Sequence, residues 1–179
     1  VTPHLALLID TKGPEVRTTG VKEPIAYKTD EQVAISGHPD TETTHDHVCV
    51  SCTSFVNDVK VGDDVLFDDG ALAMKVVGKE GDTLTARVLN DGTLGAHKSV
   101  NVPGEHIDLP ALSDRDKRMI RLAIDQDIDF IAHSFVRSAK DVHAVQRILD
   151  HSDIKIISKI ENQEGVDNLA EILTAADGI

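Results

Sequence analysis

The sequence predicts an α/β protein whose parallel sheet is interrupted, close to its start, by an inserted all-β module. Residues 5–9 form a continuous apolar run of strand length. From about residue 16 to residue 107, short alternating segments are separated by frequent turn signals. From residue 108 onward, helical and strand periodicities alternate, as expected for strands joined by crossover helices.

Composition excludes several classes of function. The 179 residues carry 31 Asp and Glu against 18 Lys and Arg, a formal net charge of −13, which argues against a nucleic-acid partner. No apolar run approaches the roughly 18 residues that a membrane span needs. Two cysteines make a disulfide framework improbable and predict a reducing, cytoplasmic setting. Aromatic residues amount to 3%, so the core should be aliphatic.

The first strand, residues 5–9, is predicted to be buried on both faces. It runs into Asp10-Thr11-Lys12-Gly13-Pro14-Glu15, where the Gly-Pro pair ends the strand and charged side chains crowd its carboxyl end.

The second region predicts a small barrel-like module without a helix. Its clearest feature is a hairpin in which apolar residues alternate on both sides of a glycine-containing turn. The residues expected on its buried face are Leu72, Met74, Val76, Leu84, Ala86 and Val88.

The third region predicts three helices and two strands. Ser113-x-x-Asp116 is a capping box that opens the first helix, and Ser138-x-x-Asp141 is predicted to cap the second. Strands are expected at residues 129–135 and 154–158, and residues 177–179 should begin another. The third helix shows apolar residues at helical spacing, namely Val166, Leu169, Ile172 and Leu173.

Lys159 and Glu161 follow the strand at residues 154–158. Side chains two residues apart on a strand share a face, so a cation and a carboxylate point the same way at a strand end, where α/β proteins place ligands. Such a pair could hold a phosphoryl group and a divalent metal together. It could equally be an ordinary ion pair.

A second cluster of potential ligands lies in the β module. His45, His47 and Cys49 would share one face of a strand, in a pattern that suits zinc or copper, whereas Cys52 falls on the opposite parity. The pattern is interpreted first as ordinary buried or surface strand residues, and a bound metal is the alternative.

Six segments in order resemble signatures of the pyruvate kinase family, and together they cover essentially the whole chain. They are Asp10-Thr11-Lys12-Gly13-Pro14-Glu15-Val16-Arg17-Thr18, Asp68-Asp69-Gly70, Lys98-Ser99-Val100-Asn101-Val102-Pro103-Gly104, Asp108-Leu109-Pro110-Ala111-Leu112-Ser113, Ser134-Phe135-Val136-Arg137, and the stretch at residues 154–165.

The resemblance implies a partial (β/α)8 TIM barrel with an inserted small all-β barrel domain. Residues 1–15 would supply a barrel strand, residues 16–107 the inserted β lid domain, and residues 108–179 further barrel β/α units. The chain looks cut from a longer protein, since two barrel strands before it, three after it and a carboxyl-terminal domain would be missing. The full-length protein would be a homotetramer.

The implied reaction is phosphoryl transfer from phosphoenolpyruvate to ADP, which gives pyruvate and ATP. By resemblance, Lys159 and Arg17 are catalytic and Glu161 binds a divalent ion, Mg²⁺ or Mn²⁺. Asp10 and Thr11 would bind K⁺, a dependence that Glu15 accompanies in this family. Substrate and nucleotide contacts would come from Asp69, Lys98, Asn101, Ser134 and Arg137, beside a wall formed by Phe135.

Other interpretations of these residues stay open at this point. Asp10 and Asp69 could simply form turns, Arg17 and Lys98 could be solvated charges, and Arg137 could act on the start of the following helix. The chain could also be an excised lid that binds nucleotide without catalysis, or a metal-dependent phosphoenolpyruvate/pyruvate lyase. Because the second metal carboxylate of the family lies beyond this sequence, the isolated chain is expected to be inactive.

Overall fold

The computed structural model describes residues 5–179. These residues divide into two compact units: an α/β unit, formed by residues 5–14 and 110–179, and a β unit, formed by residues 15–109. The predicted domain boundaries at 15/16 and 107/108 remain predictions. Within the described residues, no helix is long and apolar enough to cross a membrane.

The described part of the chain contains strands and α-helices in the following order. The first ten elements are β1 (Leu8–Asp10), β2 (Val16–Thr19), β3 (Ile25–Tyr27), β4 (Gln32–Ser36), β5 (His47–Val50), α1 (Phe55–Asp58), β6 (Asp64–Phe67), β7 (Leu72–Glu80), β8 (Thr83–Val88) and β9 (Gly92–Leu94). The remaining elements are β10 (Ser99–Asn101), α2 (Asp114–Asp125), β11 (Phe130–His133), α3 (Ala139–Leu149), β12 (Lys155–Ser158), α4 (Gln163–Asp167) and α5 (Leu169–Ala175).

The α/β unit is built on a parallel sheet with the strand order β1-β11-β12. Asp10 is in register with Ala132, which is in register with Ile157, so the carboxyl ends of the three strands lie level. A further parallel bridge joins Ile157 to Gly178, where the next strand was predicted to begin. The predicted parallel α/β arrangement is therefore confirmed for these strands.

Helix α2 begins as predicted. The Ser113 hydroxyl accepts a hydrogen bond from the Asp116 backbone N–H, and the Asp116 side chain accepts one from the Ser113 N–H. The prediction for α3 was right about where the helix begins and wrong about its cap. Within the described residues, the Ser138 side chain makes no capping hydrogen bond. Asp141 instead accepts from the backbone N–H and the Nε of Arg137.

Two further expectations for the α/β unit were wrong. The first strand is not buried on both faces: Leu8 is 54% exposed, because β1 lies at the edge of the described sheet. The single helix predicted after residue 162 is two short helices that meet at Asn168, and Val166 and Leu173 are exposed while Ile172 is buried. Helical spacing alone did not reveal the break.

The β unit contains a closed barrel with the strand order β10-β2-β5-β4-β8-β7-β6, which confirms the predicted barrel-like module. All six residues predicted for the inner face of the β7–β8 hairpin are buried. The core is largely aliphatic, as composition indicated, with Tyr27, Phe55 and Phe67 as its buried aromatic residues. The expectation of no helix was wrong, since α1 and a 3₁₀ turn at Asp68–Gly70 interrupt the strands.

Candidate active site at the strand ends

Lys159 lies between two carboxylates at the carboxyl ends of the parallel strands. Its Nζ is 3.0 Å from Asp10 Oδ1 and 3.7 Å from Glu161 Oε1. Asp10 ends β1, and Lys159 follows β12 on the other side of β11, so the parallel register brings together residues 149 positions apart. The three side chains remain partly exposed to solvent. The predicted Lys–Glu proximity is present, and Asp10 is the closer partner of the cation.

Oxygen atoms of Asp10, Thr11 and Ser134 converge beside this lysine. The Ser134 hydroxyl lies 2.7 Å from the Thr11 carbonyl oxygen and 3.0 Å from Asp10 Oδ1, and these two acceptors share its hydrogen. Thr11 and Ser134 are almost completely buried. Carboxylate, carbonyl and hydroxyl oxygens are the ligands that hard cations prefer. The cluster therefore has the right donor atoms for the monovalent cation predicted at Asp10 and Thr11.

Glu161 is fixed by the backbone of the β11 loop. Its Oε2 accepts a hydrogen bond of 3.0 Å from the Phe135 N–H. Phe135 has a φ of 55°, a left-handed conformation that is costly for an aromatic residue. The loop keeps this conformation while the Val136 N–H donates to the Lys159 carbonyl oxygen. Phe135 thus contributes an N–H to the site in addition to the predicted ring.

Arg137 is held close to its own loop. Its Nε is 3.2 Å from Asp141 Oδ2, and both side chains are largely buried. The Arg137 carbonyl oxygen accepts a hydrogen bond from Asn168, at the junction of α4 and α5. The structure therefore gives Arg137 the local contact with the start of α3 that the sequence left open. Its predicted substrate contact stays a prediction.

Arg17, in the β unit, is clamped by a carboxylate. Its Nε and Nη2 donate to the two oxygens of Glu15, at 2.5 Å and 2.8 Å, and its Nη1 donates to the carbonyl oxygen of His97. These hydrogen bonds to Glu15 raise the pKa of the guanidinium, which stays charged. Glu15, expected to accompany potassium dependence, is thus also the partner of Arg17.

The other nucleotide-side candidates lie around β10, which pairs with both β2 and β6. Asp69, in the 3₁₀ turn after β6, accepts a hydrogen bond from the Ser99 hydroxyl, and Lys98 Nζ is 2.8 Å from Asp68 Oδ2. Asn101 ends β10 opposite Leu66. The barrel therefore gathers Arg17, Asp69 and Lys98 at one corner, with both cations already paired to carboxylates.

The interpretation of the His-x-His and Cys-x-x-Cys residues as a metal site is wrong. Among the residues that the structure describes, no group of three or more His, Cys, Asp or Glu side chains could hold a metal ion. His47 Nε2 is 2.8 Å from the Ser36 hydroxyl, and the His45 ring stacks on Tyr27. Cys49 and Cys52 are buried free thiols.

The same observation limits the divalent site. Glu161 is a partly exposed carboxylate suited to a hard cation. Within residues 5–179, it does not belong to a group of three or more His, Cys, Asp or Glu side chains that could hold a metal ion. The residues present are consistent with one protein ligand of a divalent ion rather than a complete coordination shell.

Two buried residues beside the site were missed as functional candidates. Asp116, identified only as a helix cap, also accepts a 2.8 Å hydrogen bond from the backbone N–H of Lys12, which follows Thr11. His133, the last residue of β11, places its Nδ1 3.3 Å from the Thr11 hydroxyl. The feature that marks both residues as functional candidates is the complete burial of a titratable side chain next to a loop. Burial cannot be seen in the sequence, so both residues were missed.

Asp116 is predicted to hold the loop that follows β1. Replacing it with Ala removes the acceptor of Lys12 and Ser113, so we expect the free energy of unfolding of the α/β unit to fall by about 2–3 kcal/mol. Asp114→Ala is the matched control, because Asp114 lies in the same helical turn but is 85% exposed. Its expected cost is below about 0.5 kcal/mol. Urea denaturation followed by circular dichroism measures both, and equal losses would contradict the role of Asp116.

Comparison with known proteins shows which family the sequence resembles. The family model described as the pyruvate kinase barrel domain matches residues 1–179. The chain is 48% identical over 182 residues to a pyruvate kinase of Borreliella burgdorferi, an alignment that covers 100% of this chain and 38% of the relative. It is 42% identical over 181 residues to a pyruvate kinase of Geobacillus stearothermophilus, covering 98% of this chain and 31% of that relative.

The chain thus spans about a third of the length of these curated relatives. Its described residues place a lysine between two carboxylates at the ends of parallel strands, and a closed β barrel lies between the first and second of those strands in the sequence. The matching family model covers residues 1–179, the whole of this chain. The chain belongs to the pyruvate kinase family.

Proposed function

We propose that this chain is the central part of the catalytic domain of a pyruvate kinase, which transfers a phosphoryl group from phosphoenolpyruvate to ADP and forms pyruvate and ATP. The observation that carries the proposal is the position of Lys159 Nζ between Asp10 and Glu161 at the level ends of three parallel strands. Phosphoryl transfer needs alignment and neutralisation of charge more than covalent assistance, and this arrangement offers both.

Under this proposal, β1, β11 and β12 are neighbouring strands of a (β/α)8 barrel, and residues 15–109 are the inserted lid domain. The parallel bridge from Ile157 to Gly178 supports the continuation of the barrel beyond β12. The exposure of Leu8 on β1 supports a further strand against that edge.

Lys159 has the central chemical role. Its ammonium group would stand against the phosphoryl group in flight and against the enolate oxygen that forms as the phosphoryl group leaves. A preorganised positive charge is worth most where negative charge develops in the transition state. The contacts with Asp10 and Glu161 keep Nζ in place, and the step as proposed needs no proton transfer from it.

The proposed reaction uses two kinds of bound cation, one divalent and one monovalent. Glu161 would hold Mg²⁺ or Mn²⁺ through its carboxylate, and Asp10 with the Thr11 carbonyl oxygen would hold K⁺. Bound cations neutralise phosphate charge and orient the donor. The oxygen cluster of Asp10, Thr11 and Ser134 supports the monovalent assignment, because its donor atoms suit a hard cation.

Within the β unit, Arg17, Asp69, Lys98 and Asn101 are proposed as nucleotide contacts. Within the α/β unit, Ser134 and Arg137 are proposed as substrate contacts. Arg17 and Lys98 each form an ion pair with a carboxylate. Nucleotide phosphates would therefore compete with Glu15 and Asp68 for these cations. Nucleotide binding should accordingly weaken as ionic strength rises.

The proposal extends to the setting of the protein. Two free cysteines support a cytoplasmic location. The net charge of −13 argues against nucleic acid but is compatible with a small anionic ligand held by local cations. A homotetramer is proposed for the full-length protein on family grounds. The lyase alternative is not favoured by the family match.

The test compares the full-length protein with the 179-residue chain. Pyruvate formation from phosphoenolpyruvate and ADP, measured with Mg²⁺ and K⁺ present, is expected from the full-length protein and not from the chain alone. The reason is that Glu161 lacks two further carboxylate or histidine ligands among residues 5–179. Pyruvate formation by the chain that disappears in Lys159→Met would contradict the second expectation. A full-length protein without this activity would overturn the proposed function.

A further inference from the structure

His133 is a buried imidazole directly behind the oxygen cluster. It ends β11 and is 0% exposed. It shares a face of the strand with Ile131, which packs with residues of α2 and α3. The charged groups that act on the ring are Asp116 from α2, Asp141 from α3 and Arg137 from the loop between β11 and α3. Burial dominates over these charges and lowers the pKa of the imidazole, so the neutral ring is favoured.

One ring nitrogen has a hydrogen bond of standard geometry and the other does not. Nδ1 lies 3.3 Å from the Thr11 hydroxyl. Nε2 is buried and makes no hydrogen bond of standard geometry in the described part of the protein, although the Asp141 backbone interacts with the ring and acts to raise its pKa. The hydroxyl of Ser158, its register neighbour on β12, is likewise without a hydrogen-bond partner there. A buried polar ring with an incompletely hydrogen-bonded nitrogen costs free energy that an aliphatic side chain of similar size would avoid. The hydrogen bond between Nδ1 and the Thr11 hydroxyl is a polar contact that an aliphatic core residue could not make.

The Thr11 hydroxyl connects the ring to the oxygen cluster. Besides His133 Nδ1, it lies 3.2 Å from the Ser134 N–H, from which it accepts, and 3.4 Å from the Ala132 carbonyl oxygen. The Ser134 hydroxyl in turn contacts the Thr11 carbonyl oxygen and Asp10 Oδ1. The His133 carbonyl oxygen also accepts from the Lys159 N–H. A displacement of the ring would therefore reach Thr11 through one hydrogen bond, Ser134 through two and Asp10 through three.

We propose that His133 is a positioning residue for monovalent-cation binding, which acts by fixing Thr11 and, through Thr11, the oxygens of Asp10 and Ser134. The inference rests on the proposed function, in which Asp10 and Thr11 bind K⁺. His133 touches neither the cation nor the substrates. It sets the direction of the Thr11 hydroxyl and keeps the carbonyl oxygen of the same residue aimed at the cluster.

The experiment uses the full-length protein and three variants of one residue. In His133→Asn, the amide can occupy the position of Nδ1. In His133→Gln, the amide reaches only the position of Nε2, and His133→Leu removes both polar positions. The readouts are the K⁺-dependent rise in melting temperature without substrates and the half-saturating K⁺ concentration for activity. Sodium chloride at the same ionic strength is the salt control.

We expect His133→Leu and His133→Gln to raise the half-saturating K⁺ concentration about fivefold, since one lost hydrogen bond is worth about 1 kcal/mol. Maximal activity at saturating K⁺ should stay within about twofold. His133→Asn should remain close to the unmodified protein in both readouts. Ser158→Ala, which removes the unpaired hydroxyl of the same layer, should leave the K⁺ response unchanged. A purely structural role would lower the melting temperature of all three His133 variants without separating Asn from Gln.

The outcomes separate the two proposals. Absence of pyruvate formation in the unmodified full-length protein overturns the proposed function. Activity with the same K⁺ response in all His133 variants overturns only the inference about His133, and so does activity that does not depend on K⁺. If the His133 variants do not fold, Thr11→Val decides, because it removes the hydroxyl contacted by the ring. An unchanged K⁺ response in Thr11→Val overturns the inference.

Discussion

Replacing Lys159 with Met is expected to lower the maximal rate of pyruvate formation by the full-length protein about 10²–10³-fold or more. The substitution removes the cation placed 3.0 Å from Asp10 and 3.7 Å from Glu161 and keeps an unbranched side chain of similar length. Under the proposed role, in which the charge acts mainly in the transition state, kcat should fall much more than KM rises. Steady-state kinetics with phosphoenolpyruvate as the varied substrate measures the two effects separately.

Lys159→Arg is the matched control, since it keeps the positive charge but spreads it over a planar group. We expect it to retain more activity than Lys159→Met while remaining clearly impaired. The melting temperature should change little in both variants, because the Asp10 side chain is 58% exposed and solvent-exposed ion pairs add little stability. A Met variant within tenfold of the original rate would show that Lys159 is not the central group.

Gly13→Ala is expected to destabilise the α/β unit by about 3 kcal/mol or more. Gly13 has a φ of +72°, and an added Cβ would lie 2.4 Å from the carbonyl oxygen of Ser134. Relief requires the loop after β1 to move away from Ser134, which also breaks the contacts of the Ser134 hydroxyl with Asp10 and Thr11. Urea denaturation measures the stability, and the K⁺-dependent rise in melting temperature reports on the oxygen cluster.

Two controls separate backbone strain from steric contact. Asn tolerates a left-handed backbone better than Ala, so Gly13→Asn would recover stability if φ were the main problem. We expect no recovery, because the Cβ contact is the same. Gly81→Ala, at a φ of +57° with no atom within 4 Å of the added Cβ, should cost only about 1 kcal/mol. A stable Gly13→Ala variant would mean that the loop can shift without loss.

Several features could be predicted because they depend on local spacing. The capping box of Ser113 and Asp116 uses hydrogen bonds between residues three apart, and it formed where predicted. The inner face of the β7–β8 hairpin followed from simple alternation. The cap at Ser138 failed although its spacing is the same, because Asp141 found a closer partner in Arg137. Local spacing identifies a possible contact and does not exclude a competing one.

Other features depend on residues far apart in the chain. The exposure of Leu8 follows from the place of β1 at the sheet edge, and the break at Asn168 follows from packing around α4 and α5. Asp116 and His133 looked unremarkable as residue types. They became candidates for function only when the fold buried both beside Thr11 and left one nitrogen of the imidazole without a hydrogen bond of standard geometry.

The sequence by itself determined the family and the succession of a strand, a β module and further β/α units, and it predicted that Lys159 and Glu161 lie close together. These conclusions rest on motifs and periodicities, which are properties of neighbouring residues. Only the tertiary structure decided that Asp10 is the nearest partner of Lys159 and that the His133 ring contacts Thr11. The physical reason is that strand register and burial set distances between residues more than 100 positions apart, and no local pattern encodes those distances.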